Sequence, residues 1–384
     1  MKTREMTPVR TTIYRCGTSK GIFLHVNDLP QDPKIRDQVI LSIFGSPDPR
    51  QIDGLGGAEV LTSKLAIVGP ASVPGADVDY TFGQVDITTP YISYSGLCGN
   101  ISAGVAPFAI EEGLVRAVEP VTTVRVYNKN TDQIFISEVP VVDGMPVVGG
   151  DYVVPGVPGS GARLTLDMVG TIGSIGKGIL PTGNTKDMLD VPGIGKIEGS
   201  LVDAVNPCFF IKAETLGLHG DEVKKTDFKD GMLDKIETIR KSVFEMIDKP
   251  YNERDAVPFI AIVSEPKDYT NHLTGETVHK EDVDFLSRLY FRNQIHQTYS
   301  GSSSCCTSAA AVIPGTVVCE VCRQREKNKI MIGHPAGTMD VDVVYAEENG
   351  RPVIKKVAYA RTARRIMDGH SYVLNRLFEK KSAD

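Results

Sequence analysis

No run in this chain approaches the length of a membrane span, and the first ten residues, Met1 to Arg10, are polar and charged without the apolar core of a secretory leader. The expected location is therefore the cytoplasm, with no membrane partner. A stripe of clustered Lys and Arg is also missing, and the net charge is −6. Phosphate binding needs such clusters, so no nucleic-acid partner is expected. The seven histidines are scattered and none forms HExxH. Cys319-Glu-Val-Cys322 is a lone CxxC with no second Cys or His pair at zinc spacing nearby, so no metal is expected. Seven cysteines, an odd number without a leader, read as reduced thiols rather than a disulfide framework. Gly173-Ser-Ile-Gly176-Lys177-Gly178 lacks Walker spacing, because position 171 is Thr and neither Ser nor Thr follows Lys177. What remains is an ordinary globular composition, 41% hydrophobic and 23% charged over 384 residues, enough for two domains acting on a small molecule.

The chain is organised around Cys98-Gly99-Asn100. A thiol sits at a Gly-containing turn ahead of Ile101, Val105, Phe108 and Ala109, which recur at helical spacing until Gly113 offers a C-cap. A cysteine at a helix N-terminus meets unpaired N–H groups and the positive end of the dipole, which favour a thiolate and a docked carboxylate. The alternative is a buried cysteine packing as a small hydrophobe.

Upstream, a strand-like run from Thr11 breaks at Arg15-Cys-Gly-Thr-Ser-Lys-Gly21 and resumes at Ile22, which sets hydroxyls and amides in a ligand-facing turn. A helix follows, with Asp32 as cap, Pro33 in the first turn, Ile35, Val39 and Phe44 on the apolar face, and Gly45 at the end. The Gly- and Pro-rich loop 45–57 leads to Leu61-Thr-Ser-Lys-Leu-Ala-Ile-Val68, where Lys64 interrupts a buried-strand pattern. It is either an edge gatekeeper or a functional amine. Strands are expected near 78–87, 91–94, 121–128, 133–142 and 146–154, and residues 155–200 are loop-rich. The pattern then recurs: a strand pair over 201–212, a helix over 230–247, a strand over 258–263 and a helix near 282–291. Next comes a Ser- and Cys-containing turn at Tyr299 to Cys306, a short Ala-rich helix, and strands at 315–322 and 329–332. Two such turns, about two hundred residues apart, suggest two similar domains aiming helix N-termini at one cleft.

Arg15-Cys-Gly-Thr-Ser-Lys-Gly21, Gly45-Ser-Pro-Asp48 with Gln51-Ile-Asp-Gly54, Thr62-Ser-Lys64, Asp79-Tyr-Thr-Phe-Gly-Gln84, Cys98-Gly-Asn100, Pro181-Thr-Gly-Asn184, Asn206-Pro207, Gly333-His-Pro-Ala-Gly337 and Arg361-Thr-Ala-Arg-Arg365 together resemble the 2-methylaconitate cis-trans isomerase family. That family includes 3-methylitaconate Δ-isomerase and 4-oxalomesaconate tautomerase, and the 43–67 and 78–82 segments look most like the methylitaconate branch. The resemblance implies an α+β fold of two pseudo-symmetric diaminopimelate epimerase-like domains, each a mostly antiparallel, barrel-like sheet around a central helix. The implied boundaries are 1–181, rejoined by 366–384, and 182–365, with the active site between them. It implies that Cys98 keeps one of the two opposed epimerase thiols, that the second falls near Ser300, and that Lys64 takes its place; Cys306 packs in the core. Cys16 stands where Gly or Ala is expected in the family, and Ser303 where Gly is usual.

The chemistry so implied moves a double bond in a small unsaturated di- or tricarboxylic acid through a dienolate-like carbanion, with no cofactor. It needs a base near its working pH and fixed donors for the carboxylate that gathers charge. Lys64, if burial among Leu65, Ala66 and Ile67 favours its neutral amine, Cys98 and Ser19 form the expected catalytic set. Thr18, Gly56, Gly57, Gly99, Asn100, Ser302, Ser303 and Ser304 form the expected substrate-binding set. Cis-trans isomerisation of methylaconitate or aconitate is the alternative within the family, and a non-catalytic accessory protein for an aconitase-like partner the alternative outside it. Family resemblance and pairable strands further imply a homo-oligomer, a dimer or pair of dimers. Sedimentation at micromolar concentration checks this; a 41.6 kDa species rejects it.

Overall fold

The computed structural model describes residues 5–379 apart from Arg254, Ala256, Arg292, Asn293 and Lys327. β1 (Met6–Cys16) turns at Gly17 and Thr18 into β2 (Ser19–His25), its antiparallel partner. Gly17 needs its left-handed φ of 50°, and a Cβ there would lie 2.4 Å from Asn100 Oδ1. α1 (Pro33–Phe44) then reverses the chain. Asp32 Oδ1 accepts the N–H groups of Lys34 and Ile35 at 3.0 and 3.4 Å, Pro33 opens the helix, and Gly45 at φ 74° closes it, as the sequence leads one to expect. Because α1 carries the chain back, β3 (Lys64–Pro70) runs parallel to β2, with Gly21 opposite Lys64. β4 (Val78–Val85) returns antiparallel. The chain next dives through the core as α2 (Gly99–Glu111), and strand Val121–Asn128 emerges parallel to β4.

The second half repeats this order. A hairpin of Gly195–Ala204 and Asn206–Lys212 is followed by α3 (Met232–Met246) and a parallel strand, Phe259–Ser264. Phe285–Phe291 pairs antiparallel with that strand. Then come the buried α4 (Gly301–Val312), the short α5 (Val317–Val321) and Lys329–His334, parallel to Phe285–Phe291. Leu164–Asp167 bonds Gln133–Val142 on one side and Arg351–Arg361 on the other, and Ala363–Leu374 pairs along all of β1. Among the described residues nineteen strands thus form one hydrogen-bonded sheet, in two repeats that each enclose a central helix. This is the α+β architecture expected.

Burial explains the composition of the two central helices. Every residue of α2 from Gly99 to Ile110 is buried, as are all twelve residues of α4, and both lie in one apolar core. Helices surrounded on all sides need small residues. A Cβ at Gly104 would lie 2.4 Å from Cys16 Sγ and 2.8 Å from the Phe23 ring, so Cys16 is a filler matched to that glycine. Cys306 is likewise core, its thiol donating to Val202 O at 3.3 Å.

Three expectations are corrected. The helix placed near 282–291 is the strand Phe285–Phe291, flanked by strands on both edges, with Phe285, Leu286, Leu289 and Tyr290 all buried. A strand buried on both faces loses its alternation and reads like a helix. The strand placed over 315–322 is α5, whose Thr316 Oγ1 caps the Cys319 N–H at 3.1 Å; its valines accept helical backbone because Val317, Val318 and Val321 face the core. The strand placed over 146–154 is two short pieces, Met145–Pro146 and Tyr152–Val153, with irregular chain between them, whereas 155–200 is loop-rich as expected around the sheet strands Leu164–Asp167 and Asp187–Val191. Among the described residues no helix is long and apolar enough to cross a membrane.

The N-termini of α2 and α4 touch. A Cβ on Gly99 would lie 2.4 Å from the Ser302 backbone nitrogen and 2.9 Å from the Gly301 carbonyl carbon, and neither can yield without moving a helix. Gly99→Ala is expected to cost ~1–3 kcal/mol in urea unfolding through overpacking. A change below about 0.5 kcal/mol contradicts the close approach.

Candidate active site

Lys64 opens β3 and is only 6% exposed, which removes the gatekeeper alternative. Its Nζ donates to Cys98 Sγ at 3.5 Å and lies 5.6 Å from the centre of the Phe82 ring. Cys98 is the N-cap of α2, but its sulfur makes no capping bond and faces the lysine instead. Thirty-four residues apart in sequence, the two meet because β3 and α2 share one wall of a cleft.

The loop before Lys64 exists to hold it. Gln51 is 2% exposed; its amide donates to Ser46 Oγ at 3.0 Å and Ser63 Oγ at 2.9 Å, and its carbonyl accepts the Ala58 N–H at 2.8 Å. Gln84 donates to the Ser63 carbonyl at 2.9 Å from the neighbouring strand. Asp48 fastens the start of the loop by accepting the N–H groups of Arg50 and Ile52. Gly56 and Gly57 belong to this buttress. They back onto the Gln51 amide and the Thr62 side chain and are not among the residues lining the cleft, contrary to expectation, because the loop folds over its own glutamine.

Asn100, in the first turn of α2, joins the expected hydroxyls to the cleft. Its amide donates to Thr18 Oγ1 at 3.0 Å and to the buried Ser19 Oγ at 3.3 Å, while its carbonyl accepts from Arg361 Nε at 2.9 Å. Ser19 thus supports the site through Asn100. Tyr359 OH donates to the Gly99 carbonyl at 2.6 Å.

The opposite wall is the start of α4. Ser300 is its N-cap, accepting the Ser303 N–H at 3.5 Å and lying 2.9 Å from Ser302 Oγ. Cys98 and Ser300 are therefore equivalent caps of equivalent helices lining the same cleft, one a thiol and the other a hydroxyl. Asn206 clasps both: its amide donates to the Leu97 carbonyl at 3.3 Å and to Ser302 Oγ at 3.0 Å. Ser304, expected in the substrate-binding set, has a buried hydroxyl that turns back to the Gly301 carbonyl at 2.8 Å. The Ser303 hydroxyl is buried without a partner among the described residues.

The cleft is narrow, with a cavity volume of about 50 Å³. Leu61, Phe82, Leu97, Val257 and Phe259 make its apolar walls, and no carboxylate lines it among the described residues. Two converging helix N-termini and a lysine give it a field suited to a small polycarboxylate with an apolar middle.

His296 went unnoticed in the sequence, where nothing marks a lone histidine as a cleft residue. It lines the cleft, and its Nδ1 accepts the Thr298 N–H at 3.2 Å, which puts the proton of the neutral ring on Nε2. Burial, with nearby Lys64 second, pushes its pKa down to about 4.

The model of the PrpF protein family matches residues 6–374. This chain belongs to that family. It is 48% identical over 371 residues to the 3-methylitaconate isomerase of Eubacterium barkeri, spanning 94% of this chain and 96% of that protein. It is 38% identical over 381 residues to the 2-methyl-aconitate isomerase of Shewanella oneidensis, again 94% and 96%. A crystal structure of methylitaconate-delta-isomerase superposes with a TM-score of 0.84 at 44% identity, over 99% of each chain.

The depressed His296 has a consequence for acid stability. Its folded pKa lies below the ordinary 6.5, so the unfolded chain takes the proton first and stability falls as pH drops from about 6.5 towards 4. His296→Gln is expected to flatten urea-unfolding stability against pH in that window by at most ~1.4 kcal/mol per pH unit. An unchanged slope contradicts a neutral His296.

Proposed function

We propose that this PrpF-family protein is a cofactor-independent isomerase that shifts the double bond of a small unsaturated dicarboxylate, of the 3-methylitaconate to 2,3-dimethylmaleate type. The observation that carries this is the Lys64 amine 3.5 Å from the Cys98 thiol at the end of a buried helix. Isomerisation removes one proton from a carbon next to a carboxylate and returns one two atoms along, through a dienolate. Lys64 takes the first proton and Cys98 supplies the second. The resulting ammonium and thiolate are already in hydrogen-bond contact, so a proton passing from nitrogen to sulfur restores both groups. The first-turn N–H groups of α2 and α4, that of Asn100 among them, with the Thr18 hydroxyl that the Asn100 side chain orients, hold the carboxylates as charge moves onto them. Removing either proton carrier leaves this cradle in place.

The similarity to a 2-methyl-aconitate isomerase favours a second substrate, in which the same pair relays protons during cis-trans isomerisation and the cleft takes a third carboxylate. We also propose a cytoplasmic homo-oligomer whose cleft separates segment 1–181, with 366–384, from 182–365. Its seven free thiols suit a reducing compartment.

Offered a panel of 3-methylitaconate, 2-methylaconitate and aconitate, the enzyme is expected to convert at least one, with products read by NMR. Lys64→Ala and Cys98→Ser should each lower turnover about a hundred-fold or more without unfolding the chain. Normal turnover in either variant sinks the assignment. A panel left unconverted favours a protein that only binds.

A further inference from the structure

Beside the cleft lies a second pocket of about 230 Å³, of whose walls the proposed reaction uses Thr18 alone. Thr18, Thr298, Tyr299, His334, Asp340 and Arg361 are among its walls. It adjoins the active site through Asn100, whose carbonyl meets Arg361 Nε at 2.9 Å, and through Thr18, whose hydroxyl is 3.5 Å from that of Thr298.

Two features of this pocket are unbalanced. Arg361 is 3% exposed, yet no carboxylate pairs with it among the described residues. Its Nη1 donates to the Ala360 carbonyl at 2.8 Å, its Nη2 reaches only the Met339 sulfur at 3.5 Å, and its guanidinium lies 5.0 Å from the centre of the Tyr359 ring. Asp340, the one carboxylate in the wall, receives the Tyr152 hydroxyl at 3.0 Å. A guanidinium buried without its counter-charge is costly, and folded proteins supply an anion. His334, 1% exposed, is the second feature. Its Nδ1 accepts the Ala336 N–H at 3.2 Å, which leaves the proton on Nε2, and Nε2 has no partner among the described residues. Burial, with Arg288 and Arg361 nearby, pushes the His334 pKa down to about 3. The ring is therefore a neutral donor, and the positive charge of the pocket comes from Arg361, with Asp340 the one negative group in the wall.

We propose that this pocket is a carboxylate site, in which one anion accepts from the Arg361 guanidinium and from His334 Nε2–H. The Gly333-His-Pro-Ala-Gly337 segment then exists to present that imidazole, and the Arg361 segment to couple the anion to Asn100. The carboxylate is either the far end of the acid being isomerised, which rests on the isomerase assignment above, or a separate small carboxylate bound next to it.

Calorimetric titration of the full-length Lys64→Ala protein with itaconate and with tricarballylate decides between these sources by stoichiometry, one anion per chain or two. Adding His334→Ala is expected to weaken a single site about tenfold, or to reduce two sites to one. For the otherwise wild-type enzyme in the single-site case, His334→Ala should raise KM about tenfold more than it lowers kcat. Arg361→Gln should act in the same direction, and His334→Ala decides if that variant does not fold. Unchanged affinity and stoichiometry in folded His334→Ala protein overturn the proposal. Loss of anion binding in a protein that isomerises none of the acids leaves the carboxylate site standing and removes the enzymatic assignment instead.

Discussion

The contact on which everything else depends is backbone against backbone, where the first residue of one central helix meets the first turn of the other. Gly99 leaves no room for a side chain in front of Ser302, and Gly301 leaves none in front of the Tyr359 ring. Two dipoles are thereby aimed at one point with their positive ends together, an arrangement that repels unless something negative sits between. Asn206 clasps the two starts and Tyr359 holds the Gly99 carbonyl, so the surrounding hydrogen bonds fix a geometry the charges alone would open. An anion is what such a junction is built to receive.

Around that junction the two repeats are matched in backbone but not in chemistry. Each caps its helix at the cleft, one with Cys98 and the other with Ser300. A hydroxyl cannot replace a second thiol as a base, and the lysine comes from elsewhere, from the start of β3 on the same side as Cys98. An amine and a thiol 3.5 Å apart on one wall are placed as the proposed reaction requires, for a proton that leaves one carbon and returns to another along the same chain of atoms. Opposed bases on two walls would instead suit inversion at one carbon. Seen this way, the Gln51 loop is the structural cost of putting a lysine at a buried strand end, since its polar groups hold Ser63 and the backbone that orients Lys64.

Much of this was legible in the residues. The caps of α1, the glycine closing α2, and the two small-residue turns two hundred positions apart all carry local signals, because backbone geometry at helix ends demands particular side chains. Lys64 and Cys98 were legible as a pair only through the family pattern, since nothing local distinguishes a buried amine from a gatekeeper. The strand Phe285–Phe291 was misread because burial on both faces erases its periodicity, and the helix Val317–Val321 because core packing of its valines overrides their β-preference while Cys319 and Glu320 face outward. His296, and the bridging role of Asn206, depend on contacts across more than ninety residues that no local pattern encodes. Gly56 and Gly57 back onto Gln51 and Thr62, a supporting position that the glycine-rich loop itself does not reveal.

The division of labour between amine and thiol is tested most directly by following deuterium from solvent into 3-methylitaconate, carbon by carbon. Cys98→Ser protein should still exchange the proton that Lys64 removes while forming little product, and Lys64→Ala protein should exchange neither position. Wild-type exchange at both carbons in either variant would contradict the account.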